Sequence, residues 1–331
     1  MAPGMSAAEL TLADVRAAAR RIAGLVCRTP LKPSLPLARR LGRPIHLKLE
    51  SMQDTGAFKV RGAASMILSL PERTRRRGVI AVSSGNHGRA VAHVARHLGI
   101  PAVVCLTRLV PEVKVAAVAA LGAEVHADAA DQAAATRQAL ELARARSLTY
   151  VDPFDHREVV AGQGTVALEI LEQRPSVDTI VVPVGGGGLI AGIGVAGHAL
   201  QPSLRLIGVT NDREPAMYEC LKAGRIVPVG ESPTLADALP GALPADNRWS
   251  FRLCQEHVEE IRLVDETAIE RGMAWALRRE KLVLEGAGAI GIARLLAEAE
   301  PDLGADVAVV CSGDNVDGAR LLEIAARHPD P

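Results

Sequence analysis

The sequence predicts an α/β chain with two open, mostly parallel twisted sheets flanked by helices. Three observations carry this expectation. Short β-rich runs alternate with long Ala-rich stretches, the pattern of strands joined by crossover helices. Hydrophobic residues make up 48% of the chain but aromatics only 2%. The core must therefore come from Ala, Val, Leu and Ile, as in helices packed on parallel strands. The length, 331 residues, exceeds one ordinary core and suits two.

The strands follow in order. Ile45-His46-Leu47-Lys48-Leu49 alternates in polarity. Val79-Ile80-Ala81-Val82-Ser83 runs into a Ser-Gly turn, and Ala102-Val103-Val104-Cys105-Leu106 follows a Gly-Ile-Pro break. Glu124-Val125-His126 is short, and residues 179–184 form the most apolar run. Strands at 204–209 and 307–310 complete the set. Residues 79–150 read as one compact series of strand-helix repeats, and the strands near 180, 206 and 308 as another. The expected division is a large unit of residues 1–51 and 151–331 and a small unit of 52–150. Residues 228–248, rich in Pro, Gly and Asp, predict a long connection over the second sheet.

Composition excludes several functions. A formal net charge of zero argues against a nucleic-acid or membrane surface acting through bulk charge. The basic run Arg73 to Arg77 reads as a solvated helix end. Five cysteines at wide spacing, none in C-x-x-C, predict neither a disulfide framework nor a zinc site, and a reducing cytoplasm fits them. The N-terminal stretch carries Glu9 and Asp14, unlike a secretory leader, and no run is long and uncharged enough to span a bilayer.

Chemistry is expected at four places. In Gly56-Ala57-Phe58-Lys59-Val60-Arg61-Gly62-Ala63 a lysine sits among small residues. Held in an apolar niche, it can lose its proton and form an imine with an aldehyde; the plain alternative is a solvated lysine. Ser83-Ser84-Gly85-Asn86-His87-Gly88 lies where a strand passes into a helix, and its amides and side chains can bind a carboxylate, or simply cap the helix. Gly185-Gly186-Gly187-Gly188-Leu189 opens another helix and can cradle a phosphate. Cys311-Ser312-Gly313-Asp314-Asn315 ends the last strand, where ligands of open α/β sheets bind; there Ser312 can donate to a ring nitrogen, or the segment is only a turn. An aldehyde and a phosphate together suggest pyridoxal 5′-phosphate. A competing reading takes Gly186 to Ala191 as a G-x-G-x-x-A dinucleotide pattern, with Asp212 beyond the next strand, and makes the chain an NAD-dependent dehydrogenase. That reading leaves Lys59 and the Ser84–Asn86 turn without a role.

These residues resemble the serine/threonine dehydratases and serine racemases, the fold-type II pyridoxal-phosphate enzymes of tryptophan synthase β-like fold. Four motifs occur in family order, joined by Ala161-Gly162-Gln163-Gly164-Thr165. The resemblance implies a homodimeric, PLP-dependent β-elimination of a β-hydroxy amino acid, with no nucleic acid or membrane partner. It implies Lys59 as imine lysine and base, and Ser84 as the catalytic residue on the opposite face. Phe58, Asn86, Gly185, Gly186, Gly187, Gly188, Leu189, Glu285 and Ser312 would hold the cofactor. Ser83, Ser84, Gly85, Asn86 and His87 would hold the substrate. Glu285 can equally be a helix-cap carboxylate. Two departures stand out. Positions that hold a cation in many serine racemases are Thr210 and Ala216 here, so no metal is expected unless Asp212 or Glu214 rebuilds a site. Asp314 stands where the family has a second glycine. Residues 211–218 and 246–248 further resemble the dehydratase of hydroxyectoine utilisation. Catabolic threonine or serine dehydratase, or hydroxyaspartate racemase-dehydratase, are the alternatives.

Overall fold

The computed structural model describes residues 9–83, 85–110, 112–297 and 302–330. Among these residues ten strands form two sheets. They are β1 (Leu31–Pro33), β2 (Ile45–Leu49), β3 (Val79–Val82), β4 (Ala102–Thr107), β5 (Glu124–Ala129), β6 (Thr149–Tyr150), β7 (Thr179–Pro183), β8 (Arg205–Asn211), β9 (Glu260–Val264) and β10 (Val307–Cys311). The larger sheet has the order β1-β2-β10-β7-β8-β9 and the smaller β5-β4-β3-β6. Every pairing is parallel except β1 with β2. The α/β class with two mostly parallel sheets flanked by helices is therefore the architecture of this chain.

Period-two alternation puts neighbouring residues of one strand into different cores. Ile180 and Val182 of β7, with Ala308 and Val310 of β10, pack on one face of the larger sheet; Val181, Val307, Val309 and Cys311 pack on the other. Both faces are covered by helices, which is why these runs are apolar throughout. The smaller sheet repeats the arrangement, with Val79 and Ala81 on one side and Ile80 and Val82 on the other. Residues 225–249 contain no helix or strand, matching the long connection expected at 228–248. The basic run lies on the short helix Glu72–Arg75 and its exposed end.

The helix Lys59–Ser69 packs against the helices Arg157–Gln173 and Asn86–Leu98. A buried ionic network fixes it. Arg61 is 1% exposed and grips Glu50 through Nε and Nη2 at 2.7 and 2.8 Å. It also reaches Glu169 at 2.7 and 2.9 Å. Lys48 of β2 completes the group by donating to Glu169 at 2.6 Å. Two cations thus face two carboxylates. Burial alone would raise the Glu50 carboxyl, but the Arg61 guanidinium, with Lys48 and the Thr29 hydroxyl, more than offsets it and holds Glu50 below the usual range.

Candidate active site

The C-terminal ends of β3, β7 and β10, with the chain leaving β6, converge on one cleft. On adjacent parallel strands β10 and β7, Val309 pairs with Val181, which brings Ser312 and the glycine run to the same, C-terminal end of the sheet. The segment before Lys59 is sewn to the segment after β10. Phe58 N–H donates to Ser312 O at 3.1 Å and Asp314 N–H to Gly56 O at 2.9 Å; Ala57 and Gly313 form an antiparallel bridge. Gly56 has φ +72°, and a Cβ there would lie 2.3 Å from Asp314 Oδ1, so this position takes glycine on two counts.

Lys59 opens its helix. The residue keeps some accessible surface, yet its amine is enclosed, donating to Pro153 O at 2.8 Å and lying 5.3 Å from the Phe58 ring centroid. Lost hydration pulls the amine down to about 8, and the Asp152 charge opposes that fall. His87 beside it is buried. Burial and the Lys59 charge push its imidazole down to about 3, so it is neutral at working pH. Its Nε2 donates to Val151 O at 2.8 Å, and a carbonyl can only accept, which leaves Nδ1 as a free acceptor.

Asn86, the first residue of its helix, joins the two halves of the cleft. Its Nδ2 donates to Glu285 Oε1 at 2.7 Å, and its Oδ1 accepts from Asn315 at 2.5 Å. Glu285 is pushed up to about 7, first by burial and then by the charges of Asp237 and Asp314. Its backbone N–H is held by Gly313 O at 3.1 Å. Ser312 Oγ donates weakly to Ala287 O at 3.3 Å. Ser83 Oγ accepts from the Gly85 N–H, a turn that starts the helix Asn86–Leu98. Ser84, the expected second catalytic residue, lies outside the described residues.

The glycine run turns β7 into the helix Gly188–Leu200. The first bond reaching back to the run is Ala191 N–H to Gly187 O. The amides of Gly188, Leu189 and Ile190 lie ahead of it, in the position where a helix start binds anions. The run is walled closely. A Cβ on Gly186 would meet the Phe154 ring at 2.4 Å, and one on Gly185 would meet Leu239 O at 2.6 Å. Gly187, at φ +84°, would press on the Met217 methyl at 2.5 Å.

This donor set fits pyridoxal phosphate: an enclosed amine of low proton affinity, a helix start stripped of side chains, and an uncharged hydroxyl between them. The expected residues Phe58, Lys59, Asn86, Glu285, Ser312 and the glycine run are brought together. Reading the residues alone missed the loop Asp152-Pro153-Phe154-Asp155, which touches Lys59 through Pro153 and the glycine run through Phe154. Its only sequence cue was a turn-rich quartet after Tyr150, because β6 has just two residues.

The family described as "Pyridoxal-phosphate dependent enzyme" matches residues 22–313, and the chain belongs to that family. Within it the chain stands among the fold-type II serine/threonine dehydratases and racemases: it is an ammonia-lyase enzyme whose cofactor is pyridoxal phosphate. It is 44% identical, over 93% of both chains, to a putative threonine dehydratase of Sinorhizobium fredii. It is 40% identical to an L-threonine ammonia-lyase of Thermotoga maritima, over 93% of this chain and 76% of that one. Maize serine racemase superposes with a TM-score of 0.89 at 32% identity, over 97% of this chain and 98% of that one. The family match covers the Gly186 to Ala191 turn together with Lys59 and Ser312, and the cofactor of that family is pyridoxal phosphate rather than a dinucleotide. Among the described residues no group of three His, Cys, Asp or Glu could hold a metal ion, and no helix is long and apolar enough to cross a membrane.

Proposed function

We propose that the chain eliminates water from a β-hydroxy amino acid, with Lys59 holding the cofactor and then serving as the base at the α-carbon. The observation that carries this is the enclosed Lys59 amine, whose proton affinity near pH 8 suits an amine that alternates between attachment and proton transfer. The bound cofactor supplies an electron sink for the charge that develops on the α-carbon. The chain supplies the rest. The amides at 188–190 would hold the phosphate, and the Ser312 hydroxyl would face the ring nitrogen without a formal charge. Asn86, fixed by its bond to Glu285, would lie against the cofactor. The Ser83–His87 turn takes the substrate carboxylate, and neutral His87 adds no competing cation.

The finer substrate reading is a ring-opened hydroxyectoine derivative. Both segments that resemble the hydroxyectoine dehydratase border the cleft. Met217 packs on Gly187, and the backbone N–H of Arg248 is held by Asp155 at 2.8 Å. A site with a polar partner for the distal group loses about 1–3 kcal/mol on a smaller substrate that leaves it unpaired. Threonine dehydration is the second reading, favoured by the names of the two relatives above. Comparing kcat/KM on L-serine, L-threonine and the hydroxyectoine derivative separates them; threonine as the best substrate by about tenfold or more would remove the finer reading. We further propose a homodimer acting in a reducing compartment, consistent with five free cysteines. Sedimentation analysis tests the dimer. Borohydride reduction followed by peptide mapping should place the cofactor on Lys59. Lys59→Ala should lose elimination by several orders of magnitude, because attachment and base go together.

A further inference from the structure

The loop after β6 is built around a half-buried carboxylate that the reaction as described leaves unused. Asp152 accepts the backbone N–H of Phe154 at 2.9 Å and of Asp155 at 2.6 Å, both on Oδ1. Pro153 sits inside this turn with no N–H of its own, and its carbonyl receives the Lys59 amine at 2.8 Å. Asp155, next along, accepts the N–H groups of Arg248, Trp249 and Ser250 at 2.8, 2.7 and 2.9 Å. The loop is thus braced at both ends, and Phe154 closes on Gly186. Asp152 cannot swing away without breaking the turn.

We propose that Asp152 is a positioning residue for the reaction: its carboxylate, pinned beside the carbonyl that holds Lys59, supplies the negative charge against which Lys59 takes up and releases a proton. In that step the substrate Cα–H bond breaks, an N–H bond forms on Lys59, and the electron pair stays on carbon. An amine in a dry pocket is a poor proton acceptor, because the ammonium it becomes has lost its water. A fixed anion nearby restores part of that loss. The charge acting on Lys59 is that of Asp152. Around Asp152 itself stand Tyr150, Asp155, His156 and Lys59, while His87, on the facing helix, is neutral. Burial, with the Asp155 charge, holds the Asp152 carboxyl above its usual range, and the two backbone donors and Lys59 only partly offset this. The alternative is that Asp152 only shapes the turn, a task that asparagine performs equally well.

This inference rests on the Lys59 assignment, and the experiment separates the two. Asp152→Asn keeps the turn oxygen and removes the charge. Asp152→Ser is a second uncharged variant that can still accept from the turn amides. In the full-length chain before cofactor is added, trace acetylation of Lys59 is followed against pH by peptide mass spectrometry. The parent amine should react half-maximally near pH 8. In both variants this midpoint should fall by about 1. In the reconstituted enzymes the acid limb of the kcat profile should move the same way, with KM nearly unchanged. A midpoint that stays or rises in a folded variant overturns the proposal. So does failure of both variants to fold, which would make Asp152 a turn residue only. If borohydride mapping finds the adduct on another lysine, the Lys59 assignment falls; if it finds Lys59 and the midpoint is unmoved, only the role of Asp152 falls.

Discussion

Glu285 shows how one side chain couples the cleft to pH. Burial, with the charges of Asp237 and Asp314, raises its carboxyl from 4.5 to about 7. Between those values the folded chain keeps a proton that the unfolded chain has released. Its contribution to stability is therefore complete below about pH 4.5 and is lost as pH rises through about 7. The loss is on the order of 3 kcal/mol. His87 acts in the opposite sense. Its imidazole is depressed to about 3, so its contribution is present above pH 6.5 and is lost as pH falls towards 3. Glu285→Gln keeps an oxygen for Asn86 and cannot ionise. Melting temperatures of cofactor-free parent and variant, compared from pH 4.5 to 7, should rise in the variant relative to the parent, since the His87 gain is common to both. A constant difference between the two across this range would mean that Glu285 does not set the slope.

At the scale of elements, the turn between β7 and its helix is the most constrained piece of backbone in the cleft. Gly187→Ala meets both a left-handed φ and the Met217 methyl, and should cost about 2–4 kcal/mol. Adding Met217→Ala removes the collision but not the backbone strain. The double variant should therefore lose less than the sum of the two single losses, measured by denaturant unfolding. Additive losses would show that the methyl is not the obstacle. The same turn shows what was readable in advance. Four glycines after an apolar strand announce a close backbone approach, and a lysine among small residues announces a niche, because both signals are local. Strands β2, β3, β4, β5, β7, β8 and β10 were legible for the same reason: each is a compact apolar or alternating run. β1 ends in Pro33 and has three residues, β6 has two, and β9 carries Glu260 and Arg262 within five. β1 and β6 are too short to show a periodicity, whereas β9 does alternate but follows a charged helix end, Glu256 to Glu259, that hides it. The Arg61–Glu50–Glu169–Lys48 network was invisible because it joins four segments whose meeting only the fold determines.

Across the whole molecule, the expectation about cations becomes testable. Thr210 offers only a hydroxyl, bonded at 3.4 Å to Asn211, and Ala216 offers no ligand. The Glu214 carboxylate is taken by Ser232 at 2.5 Å. Few hard oxygen ligands remain for Mg²⁺ or Ca²⁺. Treatment of the holoenzyme with EDTA should leave activity and melting temperature unchanged. A loss that Mg²⁺ restores would show that Asp212 or Glu214 assembles a site in solution.

The position of β10 has a consequence for how the protein comes into being on the ribosome. It lies between β2 and β7, in the interior of the larger sheet, yet nine strands are translated before it. Until it emerges, β2 and β7 lack the partner that joins them, and the segment that carries Lys59 has no Ser312–Asn315 to be sewn to. The nascent chain can complete its smaller sheet early, but it must wait with two apolar half-sheets exposed. Long-range parallel pairing of this kind folds slowly and is open to aggregation. Cofactor capture thus becomes a late event in biogenesis, closed by a strand more than 240 residues downstream of the lysine it helps to hold.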